Sequence, residues 1–332
     1  MSLTVGLIGL PNVGKSTIFN ALTKSFVPSD NFPFCTIEPN HGIVNINDPR
    51  LQIISEAIPT EKIVSATIEL VDIAGIVKGA SKGDGLGNKF LAHIRNVDAI
   101  VHVVRCFESE DITHVDGSVD PIRDVETIKL ELVLKDIETL EKRISKTQKT
   151  VKGKDKDLMK ELDLLKRVYD SLLENSSLPT DLTDSDSSLL KSFSLLSSKP
   201  VLYVANIDEQ SIKNGNKYLD SLVEYVDSDS TYIISLCGNI EMEIASLDQS
   251  EREMFMQEYG IKQTGLDVLA INAYGILGLE TFFTAGPKEI RAWTISKDTK
   301  ADDAAGVIHT DFKRGFIKAE VYTINSLVEF GS

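Results

Sequence analysis

A chain of 332 residues is too long for one ordinary core and predicts two or three domains. Hydrophobic residues make up 42% and charged residues 26%, with no apolar run long enough to cross a membrane, so a soluble protein without a membrane partner is expected. A formal charge of −15 argues against sequence-specific DNA binding or a nucleic-acid-coating surface, while leaving room for a local basic patch.

The N-terminal Met-Ser-Leu-Thr has no charged segment leading into an apolar one, which makes the cytoplasm the expected address. Cys35, Cys106 and Cys237 lie far apart without a Cys-x-x-Cys pair. They read as reduced thiols, neither a disulfide framework nor a zinc site.

In chain order, Leu3 to Ile8 is a short apolar run of the kind that forms a buried parallel strand. Gly9-Leu10-Pro11-Asn12-Val13-Gly14-Lys15-Ser16 follows, and Ser16 to Lys24 predicts a helix with Ile18, Phe19 and Leu22 facing inward. Strand, glycine loop, helix is the context a phosphate-binding loop requires. Apolar runs recur at Ala66–Asp72, Ala99–Cys106, Pro200–Asn206 and Tyr232–Cys237, several of them separated by helical patterns. The rhythm predicts an α/β P-loop NTPase fold, a doubly wound sheet.

Between about Val125 and Leu196 that rhythm breaks. Ile128, Leu132, Leu134, Ile137, Leu140 and Ile144 recur at three- and four-residue steps, as do Leu158, Leu162, Leu165, Tyr169 and Leu172. The polar, mostly basic stretch 146–156 separates them, so the segment predicts a helical coiled-coil hairpin with a basic tip. Its leucines read as the hairpin's own seam, and Ser176 to Ser198 as a connection. After about Leu279 the composition shifts to a small α+β module, with strands at Arg291–Ile295 and Gly315–Tyr322 and a helix at Ala301–Ile308. The expected domains are 1–124 with 199–278, then 125–198, then 279–332.

The chemistry follows from the glycine loop. Gly9 and Gly14 let the backbone of Asn12, Val13, Gly14 and Thr17 turn N–H groups toward phosphate oxygens, at a positive helix end. Lys15 reaches the β- and γ-phosphates, and the Ser16 hydroxyl ligates Mg²⁺. Asp72 ends a strand and opens Asp72-Ile73-Ala74-Gly75, where its carboxylate can hold a magnesium-bound water and the Gly75 N–H can sense the γ-phosphate. Thr36, between loop and strand, is the candidate second protein ligand of Mg²⁺.

Ile76 stands where many GTPases of this architecture carry a water-orienting glutamine, and isoleucine cannot hydrogen-bond water. His114 is the candidate replacement, with a structural loop histidine as the competing reading. For the base, the strand end Asn206-Ile207-Asp208-Glu209 departs from the guanine-reading Asn-Lys-x-Asp. Lysine is replaced by Ile207, and the aspartate by the longer Glu209, which predicts ATP over GTP. Leu236 and Gly238 are expected beside the base.

Together these blocks resemble the Obg-like ATPase family. The resemblance rests on residues 9–16, 31–39, 72–80 and 85–88, and on Asp111-Ile112-Thr113-His114-Val115, Asn206-Ile207-Asp208-Glu209, Phe282 to Pro287 and His309 to Phe312. It implies a nucleotide domain, a helical hairpin insertion and a C-terminal ubiquitin-like (β-grasp, TGS) module, expected here to be incomplete. It implies ATP hydrolysis, slow until a partner stimulates it, and association with the ribosome through its large subunit, in translation or a stress response. It also implies that Asn206, Ile207 and Glu209 frame adenine, while Asn12 matches the asparagine that recruits K⁺ in some relatives. The basic hairpin tip and the TGS-like module are the expected contacts with ribosome or ribosomal RNA; a solvated turn is the plainer reading of the tip. Two other readings stay open: a nucleotide-gated scaffold without turnover, and a GTP-using translation GTPase.

Overall fold

The computed structural model describes residues 3–25, 41–73, 86–109, 114–115, 117–150, 155–227 and 233–331. Thr36, Gly75, Ile76, Cys35 and the tip residues 151–154 lie outside them.

The first stretch of chain runs β1 (Thr4–Ile8), α1 (Lys15–Ser25), β2 (His41–Asn45), α2 (Pro49–Ala57), β3 (Ile63–Val64), β4 (Thr67–Asp72), α3 (Leu86–Asn96) and β5 (Ala99–Arg105). The insertion holds α4 (Pro121–Thr150), α5 (Lys156–Asn175) and α6 (Asp184–Lys191). The chain then returns through β6 (Val201–Asn206), α7 (Ser211–Asn214), α8 (Lys217–Asp227), β7 (Ile233–Leu236), α9 (Gly238–Ile244), α10 (Gln249–Tyr259) and α11 (Gly265–Ile276). Last come β8 (Leu279–Ala285), β9 (Ile290–Ser296), α12 (Ala301–Ile308), α13 (Thr310–Arg314) and α14 (Ile324–Phe330).

Six strands form the main sheet in the order β2-β4-β1-β5-β6-β7, all parallel neighbours except β2, which runs antiparallel to β4. Every residue of β5 is buried, so both faces of the sheet centre are covered, as the continuous apolar run Ala99–Cys106 requires. Strand order reverses beside β1, which places the carboxyl ends of β1 and β5 at a topological switch point, where ligands bind in such sheets. This is the expected doubly wound α/β P-loop fold.

The insertion is a hairpin with its own core of Val133, Leu140, Leu164, Leu165, Val168, Leu172, Leu190, Phe193 and Leu195. The seam on α5 therefore uses Leu164 and Val168 where the periodicity pointed to Leu162 and Tyr169, which are only half-buried. Phe193 and Leu195, from the segment after α6, complete this core. Arg143 binds Glu161 across the hairpin at 2.8 Å and lies 4.4 Å from the Phe193 ring centroid. Asp136, fully buried, accepts from the Leu196 and Ser197 backbone N–H groups at 2.9 and 2.8 Å and ties the insertion to the chain's return.

Two expectations are corrected. Ser176–Ser198 is more than a connection: it contains α6, which starts on a capping box between Thr183 and Asp186. Gly315–Tyr322 is no strand, and Ile317, Val321 and Tyr322 stand exposed. The apolar spacing suits a strand, but no described strand runs beside it, and an unpaired strand leaves its backbone groups without a ladder. The small sheet is also broader than the expected module, because β3 from the first stretch pairs in parallel with β9 in the order β3-β9-β8. Leu327 of α14 joins Leu51 and Ile54 of α2 in the main core, so the C-terminal segment packs onto the nucleotide domain.

Glu241 of α9 is buried, and its carboxylate accepts from the Gly265 N–H at 2.7 Å, at the start of α11. Burial pushes its carboxyl up to about 7; the Gly265 and Leu266 N–H groups oppose that rise, Asp267 adds to it, and Arg252 opposes it. The folded pKa thus lies above the unfolded value of about 4.3, so this group's contribution is full at low pH and lost as pH climbs toward 7. Comparing urea unfolding of the wild type and Glu241→Gln at pH 5 and pH 8, the wild type should lose about 3 kcal/mol more than the variant on the way up. Parallel losses in the two proteins would contradict this.

Candidate functional site

The loop between β1 and α1 is shaped by close approaches. A side chain on Gly9 would place its Cβ 2.7 Å from the Val103 carbonyl oxygen on β5, so only glycine lets the loop leave the sheet there. Gly14 has φ +91° and faces the Asn206 amide, which a Cβ would strike. Asn12 holds the left-handed region at φ 64°, a conformation asparagine tolerates better than most residues.

Lys15, nearly buried, ion-pairs with Asp72 Oδ1 at the end of β4. Ser16 Oγ lies 3.5 Å from Asp72 Oδ2. β1 and β4 are neighbours in register, Leu7 opposite Asp72, so a lysine and a carboxylate 57 residues apart arrive at one loop. The three expected groups therefore converge. A hydroxyl and a carboxylate side by side are hard oxygen donors of the type Mg²⁺ takes, with water and phosphate completing its octahedron. Among the described residues no three His, Cys, Asp or Glu side chains gather to hold a metal.

On the other flank, Asn206 at the end of β6 is buried and works in two directions. Its Nδ2 donates to the Val13 carbonyl at 2.8 Å, and its Oδ1 accepts from the Gly238 N–H at 3.0 Å. Ile207 is buried, and its N–H donates to the Leu236 carbonyl at 2.9 Å. Gly238, without a side chain of its own, sits against the Thr17 and Ile18 side chains, which brings the start of α9 close to α1. Val13, Gly14, Thr17, Asn206, Ile207, Leu236 and Gly238 are thus linked by contacts that run from the glycine loop to the ends of β6 and β7. Glu209 is exposed, and its Oε1 accepts from the Tyr259 hydroxyl at 2.6 Å.

His114 is buried, with Nε2 2.8 Å from Asp124 Oδ2 on the first turn of α4. Burial pushes the Asp124 carboxyl up, opposed by His114 and Arg123. Sequence reasoning found His114 and missed Asp124. The only signal was its place ten residues on, in the first turn of a helix. It also missed Tyr259, which reaches Glu209 from 50 residues away and has no local signature. Cys106 and Cys237 are buried free thiols, and burial pushes Cys106 up to about 12, where a thiol is inert.

Comparison with known proteins agrees with this architecture. A family model described as "50S ribosome-binding GTPase" matches residues 4–136. A YchF C-terminal model, described as a protein of unknown function, matches residues 279–332. The chain is 50% identical over 334 residues to the ribosome-binding ATPase YchF of Bacillus subtilis, covering 100% of this chain and 91% of that protein. Against its namesake from Haemophilus influenzae the identity is 47%, covering 99% and 91%. The solved structure of the Schizosaccharomyces pombe YchF GTPase superposes with a TM-score of 0.88 at 37% identity, over 99% of this chain and 90% of that one. These relatives' names disagree on the nucleotide, ATPase in one case and GTPase in another. They agree on the lineage, and a chain this similar from one end to the other belongs to the YchF family.

Proposed function

We propose that this chain is a nucleoside triphosphatase that takes Mg·ATP in preference to Mg·GTP, hydrolyses it to ADP and phosphate, and acts as a nucleotide switch on the ribosome. The observation that carries this is the meeting of Lys15, Ser16 and Asp72 at a loop whose other side Asn206 clamps. With nucleotide present, Lys15 turns from Asp72 to the phosphates. Ser16 and Asp72, the latter through water, hold Mg²⁺, with Thr36 as the further ligand. Bound there, Mg²⁺ would supply positive charge against the phosphate oxygens. Gly75 contributes a backbone N–H that reports whether the γ-phosphate is there.

ATP preference rests on the base side. Ile207 supplies no cation to lie over the ring system, and Glu209 is a methylene longer than the aspartate that grips guanine. Calorimetric titration should give tighter binding of Mg·ATP than of Mg·GTP, and Lys15→Ala should weaken ATP by about tenfold to a hundredfold, the worth of a charge-assisted contact. GTP binding more tightly than ATP would overturn the preference while leaving the phosphate site standing.

Water is oriented by His114, in place of the absent glutamine. The 2.8 Å contact between its Nε2 and Asp124 Oδ2 fixes the orientation of the ring, and an imidazole held in place can position water. Phosphate release under multiple turnover should rise with ribosome concentration in the wild type. His114→Ala should lower it by about a hundredfold with ATP affinity unchanged. Wild-type turnover in that variant would remove His114 from the mechanism, and no release from the wild type under either condition would leave a nucleotide-gated scaffold.

The ribosome contact is assigned to the hairpin end, where Lys142, Lys146 and Lys149 are all exposed on the last turns of α4. On an acidic protein such a patch still attracts RNA phosphate locally. Changing Lys149, Lys152, Lys154 and Lys156 together to Glu should abolish co-sedimentation with ribosomes at moderate salt. Undiminished sedimentation would place the contact elsewhere.

A further inference from the structure

Glu209 closes the Asn-x-x-Glu stretch, yet its carboxylate is already engaged. Tyr259 donates to Oε1 at 2.6 Å, and this bond pushes the tyrosine hydroxyl up to about 12, so that it keeps its proton and is always the donor. Tyr259 is the last residue of α10, which stops at Gly260 with φ 69° in a left-handed cap. Its ring stacks on Phe255 with centroids 4.7 Å apart. Both rings pack against the cluster that contains Ile207, Cys237 and Ile240, so the hydroxyl is delivered by a helix end anchored to the base side of the site.

The two purines make different demands on that carboxylate. Guanine offers two adjacent donors, the ring N1–H and the 2-amino group, and grips a carboxylate through both oxygens at once. Adenine offers one exocyclic amine beside a ring nitrogen that accepts, so it can use only one oxygen. We infer that Tyr259 is a specificity-determining positioning residue: by holding Glu209 Oε1, it withholds the two-oxygen fork from guanine and leaves Oε2 for the adenine amine. This rests on the ATP-preferring reading above and extends it to a residue outside the loop motifs.

The test is calorimetry of the full chain and of Tyr259→Phe with Mg·ATP, Mg·GTP and Mg·ITP, with circular dichroism and Tm recorded for both proteins. The phenylalanine ring keeps the Phe255 stack and deletes only the hydroxyl. GTP should tighten by about fivefold in the variant, while ATP and ITP, which lacks the 2-amino group, stay within about twofold. An unchanged ATP-to-GTP ratio would overturn the inference. So would equal weakening of all three nucleotides, which marks a packing role alone, and so would equal tightening of GTP and ITP. A wild type that binds GTP as tightly as ATP would instead remove the ATP-preferring reading itself, and the inference with it.

Discussion

The nucleotide site depends on one buried amide. Asn206 binds the phosphate loop at Val13 with its nitrogen and the start of α9 at Gly238 with its oxygen. A side-chain amide has a donor and an acceptor on one plane, so it can staple two backbone segments that both need partners. Serine could not span them, and aspartate would set a carboxylate against the Val13 carbonyl. Because the amide is buried, losing either bond would leave a polar group unpaired in a low-dielectric interior, where that omission is expensive. The base-side strands and the phosphate loop are therefore held as one piece.

Close backbone approach makes the staple reach. Gly14 faces the amide directly, and Gly238 lets α9 lie on α1 beside Thr17 and Ile18. Opposite them, Lys15 at the start of α1 and Asp72 at the end of β4 form an ion pair. The lysine ammonium is buried enough to need an anion, and Asp72 supplies one. The Lys15 ammonium and the Ser16 hydroxyl thus meet at one carboxylate.

The rest of the chain is attached to this frame in two ways. The hairpin leaves the sheet after β5 and returns before β6, and the buried Asp136 secures the return at Leu196 and Ser197. The first turn of α4 carries Asp124, which seats His114, so the helix that begins the insertion also holds a residue proposed for the reaction. The C-terminal strands borrow β3 from the nucleotide domain and pack α14 on α2, so that module's placement is part of the fold rather than a tethered appendage.

Local pattern alone determined the glycine loop between strand and helix, the α/β class and the hairpin, and it singled out Asn206, Lys15, Ser16 and Asp72 as candidate site groups. Each of these is encoded within a few residues by glycine placement, apolar runs or a three-to-four-residue period. The tertiary structure decided what depends on distant partners: the offset of the hairpin seam, set by Phe193 and Leu195, and the loss of the expected strand at 315–322, which has no described neighbour. It also decided the partners of His114 and Glu209. Beyond the place of Asp124 in a first helical turn, neither Asp124 nor Tyr259 is marked in the sequence, because a hydrogen bond between side chains on separate elements is fixed by how those elements pack, and composition or spacing within either one does not record it.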